Sequence, residues 1–417
     1  MNKKKYKVLV LSDHALSTSG VGTQTRHLIN GLLEKGCWSF RQFGAAIKHT
    51  NYDTIQVNED FIIKPIDGFG NPDLIRVTLA TEKPDLLFIF TDPRFFTWLF
   101  EIEDEVHQMC PIVWWHVWDN YPYPKFNDLY YKATDKINCH SYLTYTMLKE
   151  ESKHGDKTFF IPHSLPDNIF RPLPLDLISH NKKSLLGDDR QDHFVALWVN
   201  RNAKRKRPND ALLSWKIFLD SLERDYGHRK ATLIMHTEPT DNEGPNLFET
   251  SKAFGLENNV FFSRERIDFD KMNVIYNISD VCFTLSYAEG FGLSTLESMM
   301  AGTPIVAATT GGLTRQVIDY RDGSHNGVAV PIALRTLVGS QGVPYIYEDY
   351  ASNEDIADGI RKIYDLNDEE RLALKTKVHQ YASEEFSHQK TVDLWHQSML
   401  DAIREFKSYK SWEKFTF

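Results

Sequence analysis

The chain has 417 residues, too many for one ordinary core, so two domains are expected. Its 41% apolar and 25% charged content is that of a globular protein, and no run of about 18 apolar residues exists to span a membrane. The net charge of −9 argues against global affinity for nucleic acid while leaving room for a local basic groove.

From the N-terminus, MNKKKYKVLVLSDH has a basic start without the apolar stretch or small-residue cleavage site of a signal peptide, so it reads as a tail entering the first strand. Short β-branched or aromatic runs then alternate with amphipathic stretches, the pattern of a parallel sheet wound with helices. Strands are expected at 7–12, 40–46, 86–90, 112–117, 137–140 and 158–162, with helices at 21–35, 94–108 and 142–153. The first helix has Leu28, Ile29, Leu32 and Leu33 at helical spacing and a stop at Gly36. Pro162, Pro166, Pro172 and Pro174 break regular structure and mark a linker at 171–192. The pattern then restarts, with strands at 194–200, 231–236, 260–263, 282–286, 305–308 and 327–331 and helices at 209–223, 272–278, 293–301 and 313–320. The stretch 353–406 reads as helical throughout, and this C-terminal region carries Trp395 and Trp412. Cys37, Cys110, Cys139 and Cys282 show no CxxC or Cys/His ligand spacing, so free thiols in a reducing, cytoplasmic setting are expected.

The most specific stretch is 285–307, LSYAEGFGLSTLESMMAGTPIVA. It sets Glu289 and Glu297 on either side of a Gly290-Phe291-Gly292 turn that opens a helix, with an apolar strand before it and another after. Two glutamates eight apart are by themselves an ordinary solvated pair; the whole string, with Gly302-Thr303-Pro304 and Gly311-Gly312, is what makes the segment specific. A turn at the carboxyl end of a parallel strand, running into a helix N-terminus, is where open α/β sheets hold anions. Helix-start amides at Phe291, Gly292 and Leu293 can face such a ligand.

Three further segments stand at strand ends. Asn200-Arg201-Asn202-Ala203-Lys204-Arg205-Lys206-Arg207-Pro208 is a basic loop after strand 194–200. Ser19-Gly20-Val21-Gly22-Thr23 follows the first strand but is not a full G-x-G-x-x-G, so the nicotinamide-binding fingerprint is missing. Trp114-Trp115-His116-Val117-Trp118-Asp119 closes the fourth strand, with Tyr121, Tyr123 and Tyr130 nearby as stacking candidates.

Residues 285–307 resemble the nucleotide-sugar donor site of family 4 glycosyltransferases, the retaining enzymes of the GT-B fold. The resemblance implies that Glu289 accepts from donor-sugar hydroxyls, that Glu297 holds the ribose diol, and that Phe291, Gly292 and Leu293 face the sugar or diphosphate. Arg201 and Lys206 match the spacing of the family's G-R-x4-K-G segment, although Asn200 and Arg207 replace its glycines. They would bind the diphosphate and stabilise its departing charge. Lys204, Arg205 and Arg207 have no equivalent there and read as exposed. Gly20 and Gly22 resemble the glycine-rich loop that approaches the diphosphate. His116 matches an acceptor-side histidine with a catalytic role, with Asp119 and Trp118 beside it. Arg264, with Arg266, lies where the family holds the nucleobase, and Pro162-His163-Ser164 resembles its entry to the second domain.

The implied fold is α/β of the GT-B type, two facing Rossmann-like domains with an interdomain cleft. Residues 1–170 would be the acceptor side, joined by a C-terminal helix at about 400–417, and 193–399 the donor domain. The implied reaction moves a sugar from a nucleotide-sugar donor, UDP- or GDP-linked, to a hydroxyl of a glycan or small molecule, with retention, no metal and no cofactor. Competing readings are a phage-type DNA-base glycosyltransferase, a GT-B epimerase and a non-catalytic nucleotide-binding protein. The first is permitted by the 204–207 cluster but disfavoured by the net charge. The segment 332–350 exceeds what the family needs and is expected to be a loop or short hairpin bearing on acceptor choice.

Overall fold

The computed structural model describes residues 5–47 and 49–407. Trp412 and the final stretch of the expected C-terminal helix lie outside the described residues. The chain divides into two compact units, Met1–Ser164 with Gly339–Tyr345 and His388–Phe417, and Leu165–Val338 with Ile346–Ser387.

Unit 1 is built on eight strands: β1 (Tyr6–Asp13), β2 (Trp38–Ala45), β3 (Ile55–Asn58), β4 (Phe61–Pro65), β5 (Leu86–Phe90), β6 (Ile112–His116), β7 (Lys136–Cys139) and β8 (Thr158–Phe160). Their spatial order is β3-β4-β2-β1-β5-β6-β7-β8, and β3 pairs with β4 antiparallel while the other pairs are parallel. Val10 faces Gln42 on one side and Phe88 on the other. Leu28, Ile29 and Leu32 of the helix Gly20–Glu34 pack with Val8, Val10 and Phe40 in one core. The late helix His388–Glu405 adds Trp395, wholly buried and edge-on to Phe88 at 5.2 Å and Trp115 at 5.0 Å. Gly31 admits it, since a Cβ there would lie 2.4 Å from Val392.

Several elements differ from the sequence reading. The helix expected at 94–108 is broken into a 3-10 turn, Pro93–Phe96, and two short helices, Thr97–Glu101 and Glu103–Val106, with Ile102 out of helical geometry between them. Its aromatic content disfavours a continuous helix. The hairpin of β3 and β4 and the helix Pro72–Glu82 were not anticipated, although Asn71 caps that helix through Leu74 N and Pro72 opens it. Residues 171–192 are not a bare linker. They belong to unit 2 and hold the helix Leu175–Leu186, which begins once the prolines end at Pro174 and stops at Gly187.

Unit 2 has a six-stranded parallel sheet of β9 (Phe194–Val199), β10 (Ala231–His236), β11 (Val260–Ser263), β12 (Val281–Thr284), β13 (Ile305–Ala308) and β14 (Gly327–Val330), in the order β11-β10-β9-β12-β13-β14. Both faces are covered, which is why its strands read as continuous apolar runs. Along β9, Phe194, Ala196 and Trp198 join a core with the helices Pro208–Tyr226 and Asn353–Tyr364. Val195 and Leu197 join the opposite core with the helices Phe269–Ile278, Leu293–Met300 and Asp368–Glu385. The segment expected to be a loop or hairpin at 332–350 is an antiparallel hairpin, β15 (Leu334–Val338) with β16 (Ile346–Tyr350).

Each sheet is wound in both directions from its first strand. The order reverses between β1 and β5 in unit 1 and between β9 and β12 in unit 2. The carboxyl ends of strands at such reversals are where open α/β sheets bind ligands.

Trp395→Ala is expected to cost about 3–5 kcal/mol of unit 1 stability, by loss of burial and cavity formation. Denaturant titration followed by circular dichroism checks this, and an unshifted midpoint would rule out the packing of this helix.

Candidate active site

At the β9/β12 reversal two short segments meet. A 3-10 turn, Lys204–Lys206, follows β9, and the loop after β12 leads through Glu289 to the helix Leu293–Met300. Lys206 Nζ pairs with Glu289 Oε2, and Arg205 Nη1 lies 3.3 Å from the same oxygen while donating to Ala288 O. The Glu289 side chain is only 12% exposed. Burial alone would push its carboxyl up, but the Lys206 ammonium and Arg205 guanidinium more than offset this and hold it at about 2. Glu289 is therefore a fixed, ionised hydrogen-bond acceptor.

The loop is held by close backbone contact. Gly292 has φ 92°, and a Cβ there would meet Leu313 at 2.6 Å and Thr295 at 2.7 Å. Gly312 N donates to Glu289 O at 2.9 Å, and a Cβ on Gly312 would stand 2.4 Å from Gly290 O. Buried Gln316 donates from Nε2 to Phe291 O (2.8 Å) and Gly292 O (3.0 Å), and its Oε1 accepts from Thr295 Oγ1 (2.5 Å). The Phe291 ring is buried against Phe386, so Phe291 can offer a ligand only its backbone, with half-buried Leu293 opening the helix behind it.

Glu297, one turn into that helix, is joined to Tyr276 rather than to the Lys206–Glu289 cluster. Tyr276 Oη donates to Oε2 at 2.7 Å. Burial raises the Glu297 carboxyl to about 7, with the tyrosine hydrogen bond acting in the opposite sense.

Arg201 departs from its expected place beside Lys206. It forms a fork with Asp241, Nε to Oδ2 at 2.8 Å and Nη2 to Oδ1 at 3.1 Å, and is 59% exposed. The cause is local: Asn202 Nδ2 is anchored on Pro239 O and Pro245 O, which turns 201–202 toward the loop carrying Asp241. Arg205, read from sequence as merely exposed, takes the second cationic position. Its signal was its place one residue before Lys206 in a tight turn. Arg207, standing where the family pattern has glycine, adopts φ 53° and is held by Asp210 (2.9 Å), Ala351 O (2.9 Å) and the Tyr350 ring. Arg264 follows β11 and pairs with Glu238 at 3.5 Å, two strands from β9 in the sheet order.

The unit 1 candidates are placed separately. Gly20 is exposed at the start of its helix, and Gly22 lets the preceding loop close, since a Cβ would stand 2.5 Å from His14 O. His116 is a core histidine, against the expectation of an acceptor-facing one. It is wholly buried, with Nε2 2.8 Å from Tyr131 Oη and Trp114 edge-on to the ring. Burial drives its pKa well below the ordinary value, so it is neutral and out of a ligand's reach. Trp118 is likewise buried, edge-on to Phe126, and cannot serve as an open stacking surface. Asp119 is half-buried, and its charge acts on Arg94.

The hairpin β15–β16 is bonded to the Glu289 loop. Asp349 N donates to Tyr287 O at 2.7 Å, and Tyr287 N donates to Arg205 O at 3.3 Å. The Asp349 carboxylate, wholly buried, accepts from Thr310 Oγ1 at 2.8 Å and from Arg335 at 2.5 and 3.0 Å. Nothing in the sequence announced this pairing beyond the length of the insertion. Among the described residues, no group of three or more His, Cys, Asp or Glu is disposed to hold a metal, no helix is long and apolar enough to cross a membrane, and the four cysteines are free thiols.

These features define an α/β protein of two parallel-sheet units with a charged loop pair at a sheet reversal. Residues 187–381 match the sequence family Glycosyl transferases group 1. D-inositol 3-phosphate glycosyltransferase of Corynebacterium aurimucosum is 32% identical over 169 residues, 38% of this chain and 39% of that protein. Alpha-1,3/1,6-mannosyltransferase ALG2 of Dictyostelium discoideum is 24% identical over 231 residues, 48% of this chain and 51% of that protein. The chain thus aligns with about two fifths to half of the length of these curated relatives. The fold is that of solved GT-B glycosyltransferases. Sucrose-phosphate synthase from Thermosynechococcus elongatus matches with a TM-score of 0.74, 15% identity, and coverage of 96% of this chain and 100% of that one. Anabaena Alr3699/HepE, solved in complex with UDP-glucose, matches at 0.69 and 15%, covering 95% of this chain and 99% of that one.

Two predictions follow from the charges. Because the folded Glu297 carboxyl is raised from about 4.5 to about 7, its contribution to stability is fullest below 4.5 and is lost as pH rises through 7. Glu297→Gln is therefore expected to gain stability relative to the parent chain from pH 5 to 8, whereas Tyr276→Phe is expected to raise the carboxyl's midpoint further; thermal melts across pH and carboxyl NMR titration check both. Arg335→Ala takes the guanidinium away from the buried Asp349 carboxylate and is expected to cost about 2–3 kcal/mol, under the figure for a fully buried pair because Arg335 is 44% exposed. Equal melting of variant and parent would show that the hairpin is not anchored this way.

Proposed function

We propose that the chain is a family 4 glycosyltransferase that moves a sugar, with retention, from a nucleotide-sugar donor to a hydroxyl of a glycan or small molecule. The observation that carries the reading is the Lys206–Glu289–Arg205 cluster at the β9/β12 reversal. An ionised carboxylate there accepts hydrogen bonds from sugar hydroxyls. The two cations beside it meet the diphosphate and stabilise the negative charge that grows on it as the glycosidic bond breaks. Arg201 joins them only if the donor draws it off Asp241. Backbone amides at Gly292 and Leu293 face the sugar or diphosphate, and Glu297 takes the ribose diol. The departing phosphate helps accept the acceptor proton, so no general base is assigned among these glutamates. The reaction needs no metal in this reading, because Lys206 and Arg205 supply the cationic charge. A UDP- or GDP-sugar is the proposed donor, and a cytoplasmic setting is consistent with the free thiols.

A nucleic-acid acceptor draws little support. In the 204–207 cluster, Arg205 and Lys206 are engaged with Glu289 and Arg207 with Asp210, which leaves Lys204 as the exposed member.

A thermal-shift screen of UDP-, GDP- and ADP-sugars identifies the donor. With it, Glu289→Ala and Lys206→Ala are each expected to lower kcat/KM about 10²–10³-fold while the folded state persists. Near-normal turnover in both variants would sink the assignment, and loss of turnover on adding EDTA would overturn its metal independence.

A further inference from the structure

The paired strands β9 and β12 lead at their carboxyl ends into the loops of Lys206 and Glu289. Their amino ends, at Phe194 and at Asp280 just before β12, meet a different feature of unit 2, a cavity of about 450 Å³. The six residues of β9 separate the two ends by about 20 Å, so the cavity is distinct from the Lys206–Glu289 cluster.

Charge at this cavity does not balance. Asp280 accepts from Val195 N through Oδ2 at 2.8 Å and from Arg371 Nη1 through Oδ1 at 3.0 Å. Arg371 Nη2 is spent on Tyr364 O (3.1 Å) and Leu366 O (3.2 Å). Lys182 Nζ stands 3.9 Å from Asp280, beyond hydrogen-bond range, although its side chain is only 18% exposed, and it has no hydrogen-bond partner among the described residues. Lys375, half-buried one turn after Arg371 on the helix Asp368–Glu385, has neither hydrogen bond nor ion pair among them. Burial lowers its pKa, and Arg371 and Lys182 act in the same sense against Asp280. Three basic side chains thus share one carboxylate.

The other carboxylates at the cavity do not cancel the surplus. Asp192 is held by Lys230 at 2.8 Å, and Asp365 by Arg361 at 2.8 Å. An ammonium withdrawn from water without an acceptor is costly, so the surplus calls for an anion from outside the chain. A phosphate monoester brings a charge of about −1.5 to −2 and three acceptor oxygens, which matches an excess of two cations. The volume falls within the range of about 300–1,000 Å³ usual for small-molecule sites and leaves space beyond one phosphate for a larger body. Phe194 and Tyr364, with rings 5.3 Å apart, line that space, and the Tyr364 hydroxyl has no hydrogen-bond partner among the described residues.

We propose that this cavity, at the amino ends of β9 and β12, binds the phosphate group of a small phosphate monoester. Lys182 donates to the phosphate oxygens, Arg371 and Lys375 add to the field that holds it, and the Tyr364 hydroxyl meets the body of the ligand. The site is separate from the one assigned to the sugar nucleotide, and its existence does not depend on the transferase reading.

The test is calorimetric titration of the full chain with inorganic phosphate, ribose 5-phosphate and ribose. Ribose 5-phosphate is expected to bind with a Kd of about 1 mM or tighter and ribose not at all, while the inorganic phosphate arm shows how much of the affinity the phosphate alone supplies. Lys182→Ala is expected to raise the Kd about tenfold or more, and Lys182→Arg to recover part of that loss. Lys375→Met, which removes a charge that pairs with nothing in the chain, is expected to weaken binding as well, and it carries the test if Lys182→Ala does not fold. Lys206→Ala is expected to leave the Kd unchanged, because the diphosphate position proposed at the Lys206–Glu289 cluster is a different one. Absence of binding by the parent chain overturns the proposal. So does binding that Lys206→Ala abolishes and Lys182→Ala spares, or lower melting of Lys182→Ala with an unchanged Kd, the result expected if Lys182 serves only as an ion pair to Asp280.

Discussion

A carboxylate that stays ionised out of water has to be given compensating charge, and much of the geometry of unit 2 follows from meeting that demand at Glu289. The side chain is 12% exposed yet ionised, because Lys206 and Arg205 reach it from the turn after β9. That turn can deliver both cations only if the residue after them bends back sharply. Arg207 does so at φ 53°, a conformation costing about 1–2 kcal/mol for a residue with a Cβ, and its bonds to Asp210 and Ala351 offset the strain. The missing glycine of the usual pattern therefore does not abolish the loop; it transfers the cost to side-chain contacts.

The other half of the cluster is set by backbone approach. Gly312 lies so close to Gly290 that no side chain fits between them, and Gln316 ties two consecutive carbonyls of the turn. The buried amide leaves the loop little freedom to rearrange when a ligand arrives. Preorganisation of this kind matters to a reaction run on electrostatics, since dipoles and charges already in place need no reorganisation as charge develops.

The alternation of apolar runs and amphipathic stretches made the parallel-sheet architecture legible, and strands such as β5, β10, β11 and β13 fall at the residues read from sequence. Motif spacing located Glu289 and Lys206 but not their partner. Spacing places Cα atoms along a chain, whereas the choice between Arg201 and Arg205 was made by Asn202, whose amide is anchored on carbonyls some 40 residues further on. His116 shows the same limit: a histidine at a strand end looks alike in sequence whether it faces solvent or Tyr131. Helix Leu175–Leu186 was hidden by the prolines in front of it, which end one element and open the next.

The hairpin β15–β16 bears on the same cluster from a third direction. Its Asp349 is bonded through the backbone to Tyr287, two residues before Glu289, and Tyr287 is bonded in turn to Arg205. Tyr350 packs on Tyr287 at 5.6 Å and lies under the Arg207 guanidinium. An insertion serving only as surface would have no need of a wholly buried carboxylate shared by Thr310 and Arg335. Burying that charge is costly unless each partner is in place, so the arrangement fixes the register of the hairpin against the loop. The consequence is mechanical: displacement of β16 is transmitted to Tyr287, and through Tyr287 to both the carboxylate and the cation beside it. The hairpin is thus tied to the Glu289 loop by hydrogen bonds rather than by proximity alone.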